Sequence, residues 1–190
     1  MKVGVLAVQG DYEAHAAALA RAGAEAAFIR TVADMEGIDA LILPGGESST
    51  QLQFLEEEGL DKAIAKFAKD GGAILGTCAG AILLARKVRN PDQDSLGLAD
   101  IVVARNGYGR QLASEVREGP SKLSGHPLEM VFIRAPIIEE IGRGVEVLAK
   151  SDGRPVLVRQ GHILAATFHP ELTSDSTVHE YLLRLARNGN

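Results

Sequence analysis

Cys78 is the only cysteine among 190 residues, and its neighbours are those a nucleophile needs. Residues 73–76 (Ala-Ile-Leu-Gly) read as a short apolar strand, Thr77-Cys78-Ala79-Gly80 as a turn, and residues 81–85 as a helix. Glycines two positions before and two after the cysteine permit the tight turn that lifts a nucleophile above the end of a strand. Such a turn surrounds the sulfur with backbone N–H groups, which stabilise negative charge there. A lone cysteine also suits a small buried hydrophobe, so Cys78 does not decide by itself.

A cysteine nucleophile needs a base, and the base needs a group to orient it. There are five histidines. His15 and His179 fall on helical stretches and read as solvated positions. His126 lies in a Ser-Gly-His-Pro loop, and His162 opens a strand. His169 is different: it ends the apolar run 163–168, and Pro170 stops that strand. In a largely parallel sheet, strand C-termini gather at one edge, where ligands bind. Cys78 and His169 are both expected there. Glu171 follows two residues later, and in an extended His-Pro-Glu segment alternate side chains share a face. The carboxylate is thereby placed to orient the imidazole. The Pro44-Gly45-Gly46 loop follows another buried strand. Its glycines let backbone N–H groups turn towards a ligand, so the N–H groups near Gly46 and of Ala79 are candidates for an oxyanion hole.

The elements that position these residues alternate in the first half. Residues 2–8, 26–29, 38–43 and 73–76 read as strands. Helices are expected over 12–22, with Asp11 as cap and Gly23 as stop, over a stretch capped by Ser48 or Ser49, and over 60–69. Alternating strands and helices imply a parallel sheet with right-handed crossovers. In the second half, 99–104, 129–134 and 145–149 read as strands, 155–159 and 162–168 as a hairpin, and 175–187 as a final helix. No repeat or linker divides the chain. The expectation is one α/β domain over residues 1–190, three-layered, with a mostly parallel central sheet of flavodoxin-like type.

Composition limits the alternatives. Apolar content of 46% and charged content of 24% are those of an ordinary globular chain. A net charge of −5 disfavours a nucleic-acid or anionic-membrane surface. One cysteine cannot form an internal disulfide or a thiolate zinc cage, which points to a reducing, cytoplasmic setting. The opening apolar run ends at Gln9-Gly10 and reads as a first strand rather than a leader. No run approaches the ~20 apolar residues of a membrane helix. The histidines and carboxylates show no metal-ligand spacing, and neither metal nor cofactor is expected.

Gly76-Thr77-Cys78-Ala79-Gly80, His169-Pro170-Glu171 and the upstream Pro44-Gly45-Gly46, taken in order, resemble the triad-type (class I) glutamine amidotransferases. A narrower resemblance rests on Val5-Leu6-Ala7-Val8-Gln9-Gly10, on Pro44 to Thr50, on Arg105-Asn106-Gly107-Tyr108-Gly109-Arg110-Gln111 and on Phe132-Ile133-Arg134-Ala135-Pro136. These look like the glutaminase subunits of pyridoxal 5′-phosphate synthases. The resemblance implies that Cys78 attacks the side-chain amide of L-glutamine, releasing ammonia and leaving a glutamyl thioester. Carried over by position, Gly46, Glu47, Ser48, Arg105, Ile133 and Arg134 would hold glutamine. An arginine suits the α-carboxylate and Glu47 the α-ammonium group. Gly107 departs from the serine expected in that family.

The chain leaves no room for a synthase domain after the triad, so the ammonia is expected to serve another polypeptide. The resemblance implies a (β/α)₈-barrel synthase in a large hetero-oligomer, with Gln9 and Gly10 at the place where docking acts on the oxyanion loop. Other readings stay open at this point. They are a glutaminase serving a different synthase, a related cysteine hydrolase or chaperone, and a non-catalytic regulatory module. Against the second stands Ala79, where a histidine commonly follows the cysteine in that group.

Overall fold

The computed structural model describes residues 1–106 and 114–188. The Gly107 to Gln111 part of the resemblance lies outside the described residues. The elements in order are β1 (Lys2–Leu6), α1 (Tyr12–Arg21), β2 (Glu25–Ile29), β3 (Ala40–Leu43), α2 (Ser48–Glu57), α3 (Leu60–Lys69), β4 (Ala73–Thr77) and α4 (Ala79–Leu84). There follow β5 (Ala85–Arg89), β6 (Ala99–Ala104), β7 (Ser114–Gly119), β8 (Leu128–Ile133), β9 (Ile137–Ile141), β10 (Glu146–Ser151), β11 (Arg154–Gln160), β12 (Ile163–Ala166) and α5 (Thr177–Asn188).

A seven-stranded sheet carries the order β10-β11-β12-β4-β3-β1-β2. Its β12, β4, β3, β1 and β2 are mutually parallel, and β10 and β11 add an antiparallel edge. The period of two along each strand divides the apolar residues between two cores. Val3, Val5, Ile42, Leu75 and Ala166 point to the side covered by α1 and α5. Leu6, Leu41, Leu43, Ile74 and Ala165 point to the side covered by α2, α3 and α4. This is the three-layer α/β domain with a mostly parallel central sheet that the alternation of elements predicts.

The second half differs from the sequence reading. Residues 99–104 and 129–134 do not join the main sheet. β6 forms a small sheet with β5 and β9, and β8 pairs antiparallel with β7. β5, β7 and β9 were not expected. Their strands carry many charges, as in Ser114–Gly119 (Ser-Glu-Val-Arg-Glu-Gly), and one face of each meets water, which hides them from an apolar-run search. α2 is capped by Glu47, whose carboxylate accepts from the Thr50 N–H, while Ser48 is already helical. Asp11 sits at the start of α1 but makes no side-chain cap bond.

His15 and His179 also differ from the sequence reading. Neither is solvated; both are wholly buried. His15 shares the inward stripe of α1 with Ala18 and Leu19. His179 faces it from α5, with His15 Nδ1 3.0 Å from His179 Nε2. The many alanines of α1 blur its polar and apolar faces, which is why the stripe was missed.

Burial, then His179 and His169, hold the His15 pKa well below the ordinary 6.5. Burial and Arg21 lower His179 to about 4. Both imidazoles are therefore neutral in the fold, while the unfolded chain takes up a proton on each near pH 6.5. The unfolded state binds more protons, so stability falls as pH falls below that value. Unfolding in urea is therefore expected to show lower stability at pH 5 than at pH 7. A flat profile over that interval would show that these imidazoles are not buried neutral.

Candidate active site

The parallel pairing of β4 with β12 brings the two distant motifs together. Ala166 is in register with Thr77, and the Cys78 N–H donates to the Ala166 carbonyl at 2.9 Å. The loops after β1, β3, β4 and β12 open on one edge of the sheet, as expected. Cys78 follows β4 directly and holds φ +48° and ψ −103°, a sparsely populated conformation for a residue with a side chain. The flanking glycines are steric necessities. A Cβ on Gly76 would lie 2.5 Å from the Gly80 carbonyl oxygen, and one on Gly80 only 1.9 Å from that of Leu43. Ala79 is the first residue of α4, so its N–H has no partner within the helix.

β12 ends at Ala166, earlier than expected, and the chain bends through Thr167 and Phe168 to His169. The His169 N–H donates to the Val131 carbonyl of β8 at 2.8 Å, which fixes the backbone of the imidazole. Glu171 is not in an extended segment. Pro170–Leu172 forms a 3-10 turn with the proline, preset for helical φ, at its start. The turn still delivers the carboxylate: Glu171 Oε1 stands 2.7 Å from His169 Nδ1, with both side chains almost wholly buried. The Cys78 side chain also acts on the proton affinity of His169. Burial pushes the His169 pKa down, but the hydrogen bonds and charges of Cys78 and Glu171 outweigh it and raise it to about 10. Sulfur, imidazole and carboxylate thus form one continuous array.

Asp11, exposed, brings a carboxylate oxygen to the same place. Among the described residues, Asp11, His169 and Glu171 offer donor atoms within 4.8 Å of one another. Their separation in sequence hid this grouping. His169 and Glu171 already turn ring nitrogen and carboxylate oxygen towards each other, which leaves the group short of free ligands for a metal.

The glycine loop lies against the array. A Cβ on Gly45 would meet His169 Cε1 at 2.5 Å, and Gly46 has φ +141°. The loop after β1 presses on the other side, where a Cβ on Gly10 would lie 1.7 Å from the Gly45 carbonyl oxygen. A residue not singled out from the sequence ties the two loops. Buried Gln51 directs Nε2 at the carbonyls of Gln9 (3.3 Å), Pro44 (3.3 Å) and Gly45 (3.2 Å). With Ser48, Leu52 and Leu55 it follows the inward spacing of α2, so a polar residue on a buried stripe was the available signal. The exposed Gln9 side chain also accepts from the Glu47 N–H at 3.3 Å.

The glutamine-binding candidates fall into two groups. Glu47 and Arg105 meet at 2.7 Å. The Glu47 pKa is lowered to about 2, first by the Ser49 hydroxyl, with the Thr50 N–H and hydroxyl adding to it against partial burial. Ser48 is buried and donates its hydroxyl to Gln93 Oε1 at 2.9 Å. Ile133 ends β8 with its carbonyl oxygen 3.9 Å from the Cys78 sulfur. Arg134 next to it is exposed, with φ +45°. Cys78 therefore has a carbonyl beside it, and Glu47 and Arg105 form an ion pair with each other.

Comparison with known proteins agrees with this geometry. The model of the SNO glutamine amidotransferase family matches residues 5–188. A protein named pyridoxal 5′-phosphate synthase subunit PdxT from Koribacter versatilis is 54% identical over 190 residues, covering 100% of this chain and 98% of that one. Its namesake from Thermus thermophilus is 50% identical over 186 residues, with 97% of each chain covered. The crystal structure of a glutamine amidotransferase superposes with a TM-score of 0.92 at 46% identity, covering 97% of this chain and 98% of that one. The structure of PurLQS from Thermotoga maritima, at 17% identity and a TM-score of 0.72 over 96% of this chain and 97% of that one, shares the fold. With a family match over nearly the whole length and relatives at half identity or more, the chain belongs to the SNO glutamine amidotransferase family.

Proposed function

We propose that residues 1–190 form one glutaminase unit, the ammonia-producing subunit of a pyridoxal 5′-phosphate synthase. The observation that carries this reading is the buried array of Cys78, His169 and Glu171 on the edge of the sheet. The names of the full-length relatives favour this synthase over others.

The Cys78 sulfur, its proton already resting on His169, attacks the side-chain amide carbon of L-glutamine. The N–H groups of Gly46 and Ala79 stabilise the oxyanion that forms. Collapse of the tetrahedral adduct breaks the C–N bond, and His169 returns the proton to the departing ammonia. Water, with its proton taken by His169, then cleaves the thioester, giving glutamate and the free thiol. Glu171 keeps the imidazole in the tautomer that faces the sulfur. Glu47 receives the α-ammonium group and Arg105 the α-carboxylate, with Ser48, Ile133 and Arg134 completing the pocket. No metal or cofactor takes part.

The ammonia passes to a separate synthase subunit, a (β/α)₈ barrel in a large hetero-oligomer, in a cytoplasmic setting. Among the described residues no helix is long and apolar enough to cross a membrane. Docking acts at Gln9 and Gly10. These residues are exposed, yet they touch the Gly45-Gly46 loop through backbone and through Gln51. A push on this corner resets the oxyanion hole.

The test is glutamate release from glutamine by the chain alone and mixed with the synthase subunit. Release is expected to rise sharply in the mixture. Cys78→Ala is expected to abolish it, and turnover retained by that variant would sink the assignment. Glu171→Ala is expected to be milder, with kcat reduced by roughly 10²-fold, since an orienting group can contribute less than the nucleophile. Glu47→Gln is expected to act on binding, raising KM for glutamine about 10-fold or more with a smaller change in kcat, and an unchanged KM would remove Glu47 from the pocket.

A further inference from the structure

The reaction as described uses one oxygen of Glu171 and leaves the other unassigned. Glu171 Oε2 is buried and has no hydrogen-bond partner among the described residues. His15 Nε2 lies 3.4 Å from it. That nitrogen also stands 3.1 Å from the hydroxyl of Thr77, the residue before the nucleophile. The other His15 nitrogen meets His179 Nε2 at 3.0 Å, and His179 Nδ1 has no partner among the described residues. Three elements, α1, β4 and α5, thus converge behind the Glu171 carboxylate with wholly buried polar side chains.

The proton arrangement follows from what each alternative leaves unpaired. If His15 carried its proton on Nδ1, it would donate to His179 Nε2. His179 Nδ1–H would then be a buried donor with no acceptor, and the bare His15 Nε2 would face a carboxylate oxygen. With the proton on His15 Nε2 instead, that N–H donates to Thr77 Oγ1 at 3.1 Å and turns the positive end of its dipole towards Glu171 Oε2, 3.4 Å from the nitrogen. His179 then donates from Nε2 to His15 Nδ1 and keeps a bare acceptor at Nδ1, while the Thr77 hydroxyl oxygen accepts from His15. An orphaned donor costs the full loss of its water contacts, and like charges or lone pairs in apolar surroundings repel strongly, so the second arrangement is favoured. Burial keeps His15 neutral, which the arrangement requires.

We propose that His15 is a positioning residue of the glutaminase, holding the outer oxygen of Glu171 so that the inner one stays on His169, with His179 fixing the His15 tautomer. His15 touches neither glutamine nor the sulfur; it acts through Glu171. The proposal rests on the triad reading above, and its test separates the two.

The test is a double-mutant cycle on glutamate release, with the chain bound to its synthase subunit. Wild-type turnover that depends on Cys78 secures the triad reading before the cycle is read; its absence fails that reading rather than this one. His15→Leu is expected to lower kcat roughly 10-fold with KM for glutamine unchanged, and to have almost no effect when Glu171 is already alanine. His15→Gln, whose side-chain amide reaches the Nε2 position, is expected to keep most of the activity. His15→Asn, whose amide reaches only the Nδ1 position, is expected to fall like His15→Leu, and supplies the same comparison where the leucine variant does not fold. Three results would each overturn the proposal. They are full kcat in the leucine and asparagine variants, an equal loss in the Glu171→Ala background, or glutamine and asparagine variants that fall alike.

Discussion

The active edge of this protein depends on one strand pairing, that of β4 with β12. The two strands are far apart in sequence and are joined in parallel register, with Ala166 opposite Thr77. A single backbone hydrogen bond, from Cys78 to Ala166, carries that register into Cys78 itself. A slip of one residue would turn the alternate side chains to the other face of the sheet and separate the sulfur from the imidazole. The neighbouring strands β3 and β1 then set the glycine loop beside the histidine and the Gln9-Gly10 corner beside the glycine loop.

Close backbone approach is the second theme, and it explains the glycines. The contacts of Gly10 with Gly45, of Gly45 with His169 and of Gly80 with Leu43 leave no space for a side chain. Loops packed this tightly cannot move independently. Gln51 adds three carbonyl contacts to the same seam, so a displacement at the exposed Gln9-Gly10 corner reaches the residues around the nucleophile over a short distance.

Much of this was legible in the chain. The buried strands β1, β3 and β4 are continuous apolar runs, and helix α3 was placed at its observed bounds, because burial on both faces and a clear 3.6-residue period leave strong marks. Cys78 and His169 could be set on a common edge because parallel strands all point one way. What the sequence concealed was of another kind. β5, β7 and β9 lie on small sheets with a wet face, so charges interrupt their apolar pattern. Pro170 to Leu172 folds into a turn where an extended segment was expected, although both conformations bring Glu171 to His169. His15, His179 and Gln51 are polar residues on buried faces, whose partners come from distant elements; no local pattern names such partners.

The central claim is that Cys78 becomes covalently bound to the glutamyl group. The most direct measurement is a pulse of radiolabelled glutamine given to the chain with its synthase subunit, followed by acid quench and peptide mapping. The account predicts protein-bound glutamyl label on the peptide holding Cys78, released by hydroxylamine as a thioester should be. Label on another residue, or glutamate released at full rate with none ever bound to the chain, would contradict it.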